Sequence, residues 1–309
     1  MTYLSMIFFQ IVAPILVLLI IGAILQRKFS FNLKALSQLI TYCFMPVAVF
    51  MNLYETTVNL SVLAQVAIFI ILFIGSQMII SHYIAKLLKL NRTESAVFKN
   101  SVVLINSGNY GIPVAQLVFH SQPIGVAIQV ILVIFQNVTT YTYGLYNLIS
   151  ATKSGSQILK DFLKMPIVHA LVIGVILNIL NIKLPVTLEI PLNHISEGFI
   201  AVALITLGAQ LSQIEIRTMI NKTIVISCFT RLVVGPAIAL LVIWILGLDG
   251  VVAQSLFIAS SFPTSRNSSS LALEYDVESN TAAQTVLFST IVSCLTVTFV
   301  IYLSTILFA

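Results

Sequence analysis

The sequence predicts an all-α integral membrane protein of ten transmembrane helices, built as two inverted repeats of five, with helices four and nine broken and crossed. Three observations carry this. Only 8% of the 309 residues are charged and 59% are hydrophobic, at a mean hydropathy of +1.06, whereas a soluble domain carries about 25% charge. Two apolar segments are each interrupted by a cluster of polar and helix-breaking residues. A proline-led stretch near the start returns, little changed, half a chain later.

Ten apolar segments approach the roughly 20 residues that cross a bilayer: 5–26, 34–54, 61–88, 97–119, 123–149, 164–182, 193–212, 219–246, 250–273 and 280–308. The strict alternation of a membrane barrel is absent. The N-terminus, MTYLSMIFFQ, lacks the basic stretch of a cleaved signal, so the first span is expected to remain. The division that follows is a first repeat at 1–149, a connecting loop at 150–163 and a second repeat at 164–309.

The first and sixth spans supply the repeat. PILVLLIIGAILQ starts at Pro14 and PIVHALVIGVILN at Pro166, with seven of thirteen positions identical and Gly22 aligned with Gly174. Their offset of 152 is close to the 150 residues between Pro113 and Pro263 in the two interruptions. Five spans is an odd number, so the second repeat inserts upside down. The broken helices then meet near the midplane.

The fourth span contains INSGNYGIPV (Ile105 to Val114) and the ninth SSFPTSRNSSS (Ser260 to Ser270). Glycine and proline weaken a helix, and proline removes a backbone donor. In lipid an unpaired backbone group is so costly that a break persists only when buried in protein or lining a wet cavity. Paired breaks in two halves point to a transporter's substrate site. The alternative reading is two kinks relieved by neighbouring helices.

Lysine and arginine set the orientation. Arg27, Lys28 and Lys34 flank the first loop. Lys86, Lys89, Arg92 and Lys99 fill the third, Lys153, Lys160 and Lys164 the fifth, and Arg217 and Lys222 the seventh, while the alternate loops hold only Lys183. The odd loops are therefore cytoplasmic and both termini extracellular, in a multi-pass protein of the cell membrane. The acidic ninth loop does not alter this, because acidic residues count little in the rule. The net charge of +5 is loop charge and not a nucleic-acid surface.

Several pieces, in order, resemble the auxin efflux carrier family of bacterial and plant membrane transporters. They are TYCFMPVAVFMNL with Pro46, NSGNYGIPV, FQNVTTYTYG, ALITLGAQL with Gly208, RLVVGP with Arg231, SSFPTSRNSSSLALEY and FSTIVSCLTVTF. The resemblance implies a ten-helix inverted-repeat fold similar to bile-acid and sodium–proton carriers. It implies transport of organic anions, such as auxin in plants and malate or malonate-type carboxylates in bacteria. The chain lacks the long hydrophilic central loop of large plant members and looks like a short bacterial-type one.

A carboxylate entering a low-dielectric site needs donors and positive potential, which half-helix N-termini supply. The expected ends are after Pro113 and around Pro263 to Arg266. Substrate contacts are expected from Asn106, Ser107, Asn109, Gly111 and Pro113 in the fourth span, and from Pro263, Thr264, Arg266 and Asn267 in the ninth. By resemblance, Gln136 and Asn137 in the fifth lie beside the crossing. The same asparagines and serines can instead cap broken helices, and Gln136 and Asn137 can join helices by core hydrogen bonds. Arg266 reads as an anion ligand, where a guanidinium holds a carboxylate bidentately, or as a brace for the break. Pro46, Gly208 and Arg231 read as structural.

No Asp or Glu is expected in the middle of a span, so no buried carboxylate is available to carry a proton. Cys43, Cys228 and Cys294 make neither a metal spacing nor a disulfide framework. No nucleotide motif or catalytic triad is present, so an enzyme, cofactor or metal site is not expected. The expected function is a secondary or facilitative carrier of small carboxylates working by alternating access. A sodium-coupled anion symporter and a non-transporting receptor are the alternatives. Its partners are the carboxylate and membrane lipid, with a homodimer left open.

Overall fold

A computed structural model of the chain describes residues 9, 13–55, 60–148, 166–213 and 221–308. These are helical apart from short connections and one isolated antiparallel bridge between Ile105 and Thr264. The helices are α1 (Ala13–Phe29), α2 (Leu33–Glu55), α3 (Leu60–Leu87), α4 (Arg92–Val103), α5 (Ile112–Val118), α6 (Pro123–Leu148), α7 (Pro166–Ile179), α8 (Val186–Leu211), α9 (Lys222–Leu246), α10 (Gly250–Ser260), α11 (Arg266–Glu274) and α12 (Ser279–Leu307). Six are long and apolar enough to cross a membrane: α2, α3, α6, α8, α9 and α12. The other rods are shorter, or divided into α4–α5 and α10–α11. The expected 150–163 loop lies outside the described residues.

Helix starts follow side-chain caps. Asn32 accepts from the backbone N–H groups of Lys34 and Ala35 ahead of α2. Asn91 and Glu94 form a capping box at α4, and Asn221 accepts from Ile224 at α9. Each satisfies donors that a helix start leaves open.

Proline leaves a common mark on three rods. Wide π-helical turns occur at Ile40–Phe44, Ser107–Gly111 and Thr230–Val234, and Pro46, Pro113 and Pro236 each follow two residues later. A proline ring clashes with the carbonyl four residues back. Here those carbonyls belong to Tyr42, Asn109 and Leu232, each inside a π turn. The extra residue widens the turn and makes room for the ring.

Two groups of helices emerge from the packing. In one, α1 lies along α8, α2 along α7, and α2 meets α8. Contact here is backbone to backbone. A Cβ on Gly22 would sit 1.9 Å from the carbonyl oxygen of Ile205, and one on Gly208 2.0 Å from that of Leu19. Only glycine admits this approach, which is how membrane helices pack where no hydrophobic drive separates helix from lipid. Gly174 on α7 lies in the same way against Phe50 and Leu53 of α2. One 152-residue offset relates Gly22 to Gly174 and Leu53 to Ile205. In the other group α3 packs on α4 and α9, α6 on α10, and α11 on α12. A large apolar cluster including Leu19, Tyr110, Leu207 and Phe262 joins the two groups.

Two expectations need correction. The helix expected from residue 193 begins at Val186, so Glu197 lies well inside α8 and not near its end. With His194, 3.8 Å away, it is largely exposed on that rod. Pro113 and Pro263 are also not equivalent. Pro263 lies in the extended segment of the ninth rod, while Pro113 lies in α5, beyond the crossing and the π turn that follows it.

Candidate functional site

The rod of α4 and α5 is interrupted at residues 104–106, and that of α10 and α11 at 261–265. The two extended segments pass antiparallel. The N–H of Asn106 donates to the carbonyl of Pro263 at 2.9 Å, and that of Ser265 to Leu104 at 2.7 Å. Backbone groups that a broken helix would orphan are thus exchanged between the rods, as the absence of water demands. Thr264 is held twice more. Its N–H donates to the Ser289 hydroxyl at 3.2 Å and its own hydroxyl to the Ser101 carbonyl at 2.8 Å. Ser289 is therefore a crossing residue.

Behind the crossing lies Arg231, fully buried in the π turn of α9. It donates to the carbonyl of Val102 at 2.8 Å and to that of Ser260. These lie at the C-terminal ends of α4 and α10. Both ends carry partial negative charge from the helix dipole, and one guanidinium answers both. Phe73 covers it, 5.6 Å from its ring centroid. A buried charge is tolerated only with such partners.

A small cleft lies between the two helix groups. Asn109, from the π turn after the first break, and Arg266, the first residue of α11, both line it. Facing them are Ser37 and Thr41 of α2 and Thr206 and Gln210 of α8. Gln210 donates to the Ser37 hydroxyl at 2.8 Å and Arg266 to the same oxygen at 3.1 Å. The Asn109 Oδ1 is buried and accepts no hydrogen bond from the described residues. The cleft therefore collects one fixed positive charge, two amides and several hydroxyls. That is the inventory for receiving a small anion.

The other expected residues divide. Asn106 and Ser107 are buried at the crossing, and the Asn106 Nδ2 and Ser107 Oγ have no protein partner. Gly111 is packed so closely that a Cβ would meet the Phe262 ring at 2.5 Å. Pro113 is buried in α5, and Asn267 is half-buried with its N–H on the Ser265 hydroxyl. Gln136 bonds within its own helix to Thr140, and neither it nor Asn137 lines the cleft. The half-helix start expected after Pro113 lies earlier, at Ser107. Sequence reading missed Ser37, Thr41, Thr206 and Gln210. Their signal is the four-residue spacing within each pair, which puts both polar groups on one helix face.

A family model described as membrane transport protein matches the chain twice, over residues 7–162 and 150–301. The chain is also similar to a protein named as an uncharacterized transporter in Methanocaldococcus jannaschii. The two are 25% identical over 304 residues, which cover 93% of this chain and 96% of that one.

Proposed function

The chain belongs to the membrane transport protein family, that of the auxin efflux carriers, and on that premise we propose that it carries small organic anions across the membrane by alternating access. The observation supporting this most is the meeting of Arg266 and Asn109 in one cleft beside the crossing. A guanidinium with neighbouring donors suits a carboxylate. As it stands the cleft has room for about one water molecule, about 10 Å³, so admitting an anion requires the two helix groups to part.

The finer architecture we infer is ten spans in two inverted repeats. The doubled family match and the paired contacts Gly22–Ile205 and Gly174–Leu53 support it. The group α1, α2, α7 and α8 then forms a scaffold, and the remaining helices move against it. The cleft lies near the start of α2 and the end of α8. By the lysine and arginine distribution that side is cytoplasmic, so the conformation reads as inward-facing, with both termini outside. A single cysteine introduced at position 155 tests the orientation. Strong labelling of intact cells by an impermeant reagent would overturn it.

Arg231 bears on coupling. A sodium ion at the break would need backbone carbonyls, and Arg231 already engages those of Val102 and Ser260. This supports a carrier that works without sodium. Proteoliposomes preloaded with malonate should take up labelled malonate by counterflow with no sodium gradient. Strict dependence on sodium would favour a symporter. Binding without counterflow would favour a receptor.

A further inference from the structure

We infer that Ser37 is a built-in competitor for the anion, and that its bond to Arg266 is a latch tying the moving helices to the scaffold in the empty carrier. A serine hydroxyl has one donor and two acceptor positions. In Ser37 all three are in use. It donates to the carbonyl of Leu33 at 2.7 Å and accepts from Gln210 at 2.8 Å and from Arg266 at 3.1 Å. Ser37 and Gln210 belong to the scaffold group and Arg266 to the other, so the contact crosses the boundary along which the groups must slide.

Two donors from opposite sides thus converge on one neutral oxygen, as they would on a carboxylate oxygen. A carboxylate can take two parallel hydrogen bonds from a guanidinium, where the Ser37 oxygen takes one. A carboxylate reaching the cleft therefore replaces Ser37 on Arg266 favourably, and the exchange frees α11 from α2. Binding and release of the latch become one event. The unloaded carrier is held where it stands, and movement requires an anion that satisfies Arg266. The latch is a contact within the protein; its displacement by an anion rests on the carrier reading above.

Two measurements on full-length protein separate the latch from that reading. The first uses no ligand. In a chain with Cys43, Cys228 and Cys294 replaced by alanine, the buried Thr206 of the cleft is changed to cysteine. Its modification by neutral N-ethylmaleimide is then timed with and without Ser37→Ala. The second is calorimetry with malonate on the wild type, Ser37→Ala and Ser37→Thr. The latch predicts several-fold faster labelling in Ser37→Ala. It also predicts malonate affinity raised about ten- to a hundredfold, the worth of one hydrogen bond to a charged group, with Ser37→Thr near the wild type because it keeps the hydroxyl. Unchanged labelling overturns the latch, whatever malonate does. Faster labelling with no malonate binding to any variant upholds the latch and overturns the carboxylate reading. Faster labelling with malonate bound no more tightly overturns the competition.

Discussion

At the crossing, residues 104–106 and 263–265 give each other one backbone hydrogen bond apiece, yet their side chains do opposite things. The second segment is largely satisfied. Thr264 is bonded to Ser101 and Ser289, Ser265 receives the N–H of Asn267, and α11 opens with a charge, Arg266. The first segment is neutral and under-satisfied. Asn106 Nδ2, Ser107 Oγ and Asn109 Oδ1 are buried without protein partners. An exact repeat would make two equal sites. Here one segment contributes charge and the other, through Asn109, an open amide, and a single cleft receives both.

The comparison is broken most severely at the part both segments share. Arg231→Met removes the donor to Val102 and Ser260 together. At about 1.5–3 kcal/mol for a hydrogen bond to a charged group, the loss should exceed roughly 3 kcal/mol. A large fall in the detergent melting temperature is expected, and an unchanged one would refute the brace. Arg266→Gln should weaken malonate about ten- to a hundredfold, a charged bond's worth. Unchanged affinity removes Arg266 from the site, and loss of folded protein makes it a second brace. Asn109→Ala removes a neutral group and should cost about fivefold in affinity, read by the same calorimetry. An effect as large as that of Arg266→Gln would erase the distinction between the segments. The smallest effect is expected at Glu197→Gln, since this exposed side chain lies outside both segments. Abolished flux with intact malonate binding would show that a scaffold carboxylate takes part in coupling.

Much of the fold was legible because its causes are local. Polar breaks in apolar runs announce crossings. The match of Gly22 to Gly174 predicted a repeat, although not that each would lie against a helix of the other half. The alignment of Pro113 with Pro263 misled because a π turn sets Pro113 back from the crossing, while Pro263 stands in it. Within the cleft, Arg266 and Asn109 stood out as polar residues in apolar surroundings. Ser37 and Gln210 did not, since a serine or glutamine near a helix end is unremarkable until a partner 173 positions away approaches it. Gln136 gave the opposite error. A polar residue in a span signals a partner, and here that partner is Thr140, one turn along.

The glycine contacts also set an order on synthesis. Gly22 on α1 rests on Ile205, and Leu53 on α2 meets Gly174, so each half completes the other's interface. About 180 residues separate Gly22 from Ile205. At the usual pace of about 5–20 residues per second, roughly 10–40 s pass before the partner of α1 is made. Until then the grooved face of α1 meets lipid or the insertion machinery, and the scaffold closes only after seven rods are in place. A nascent chain arrested after α6 should still let a lipid-borne crosslinker reach position 22. Protection at that length would mean that another surface shelters α1 before α8 arrives.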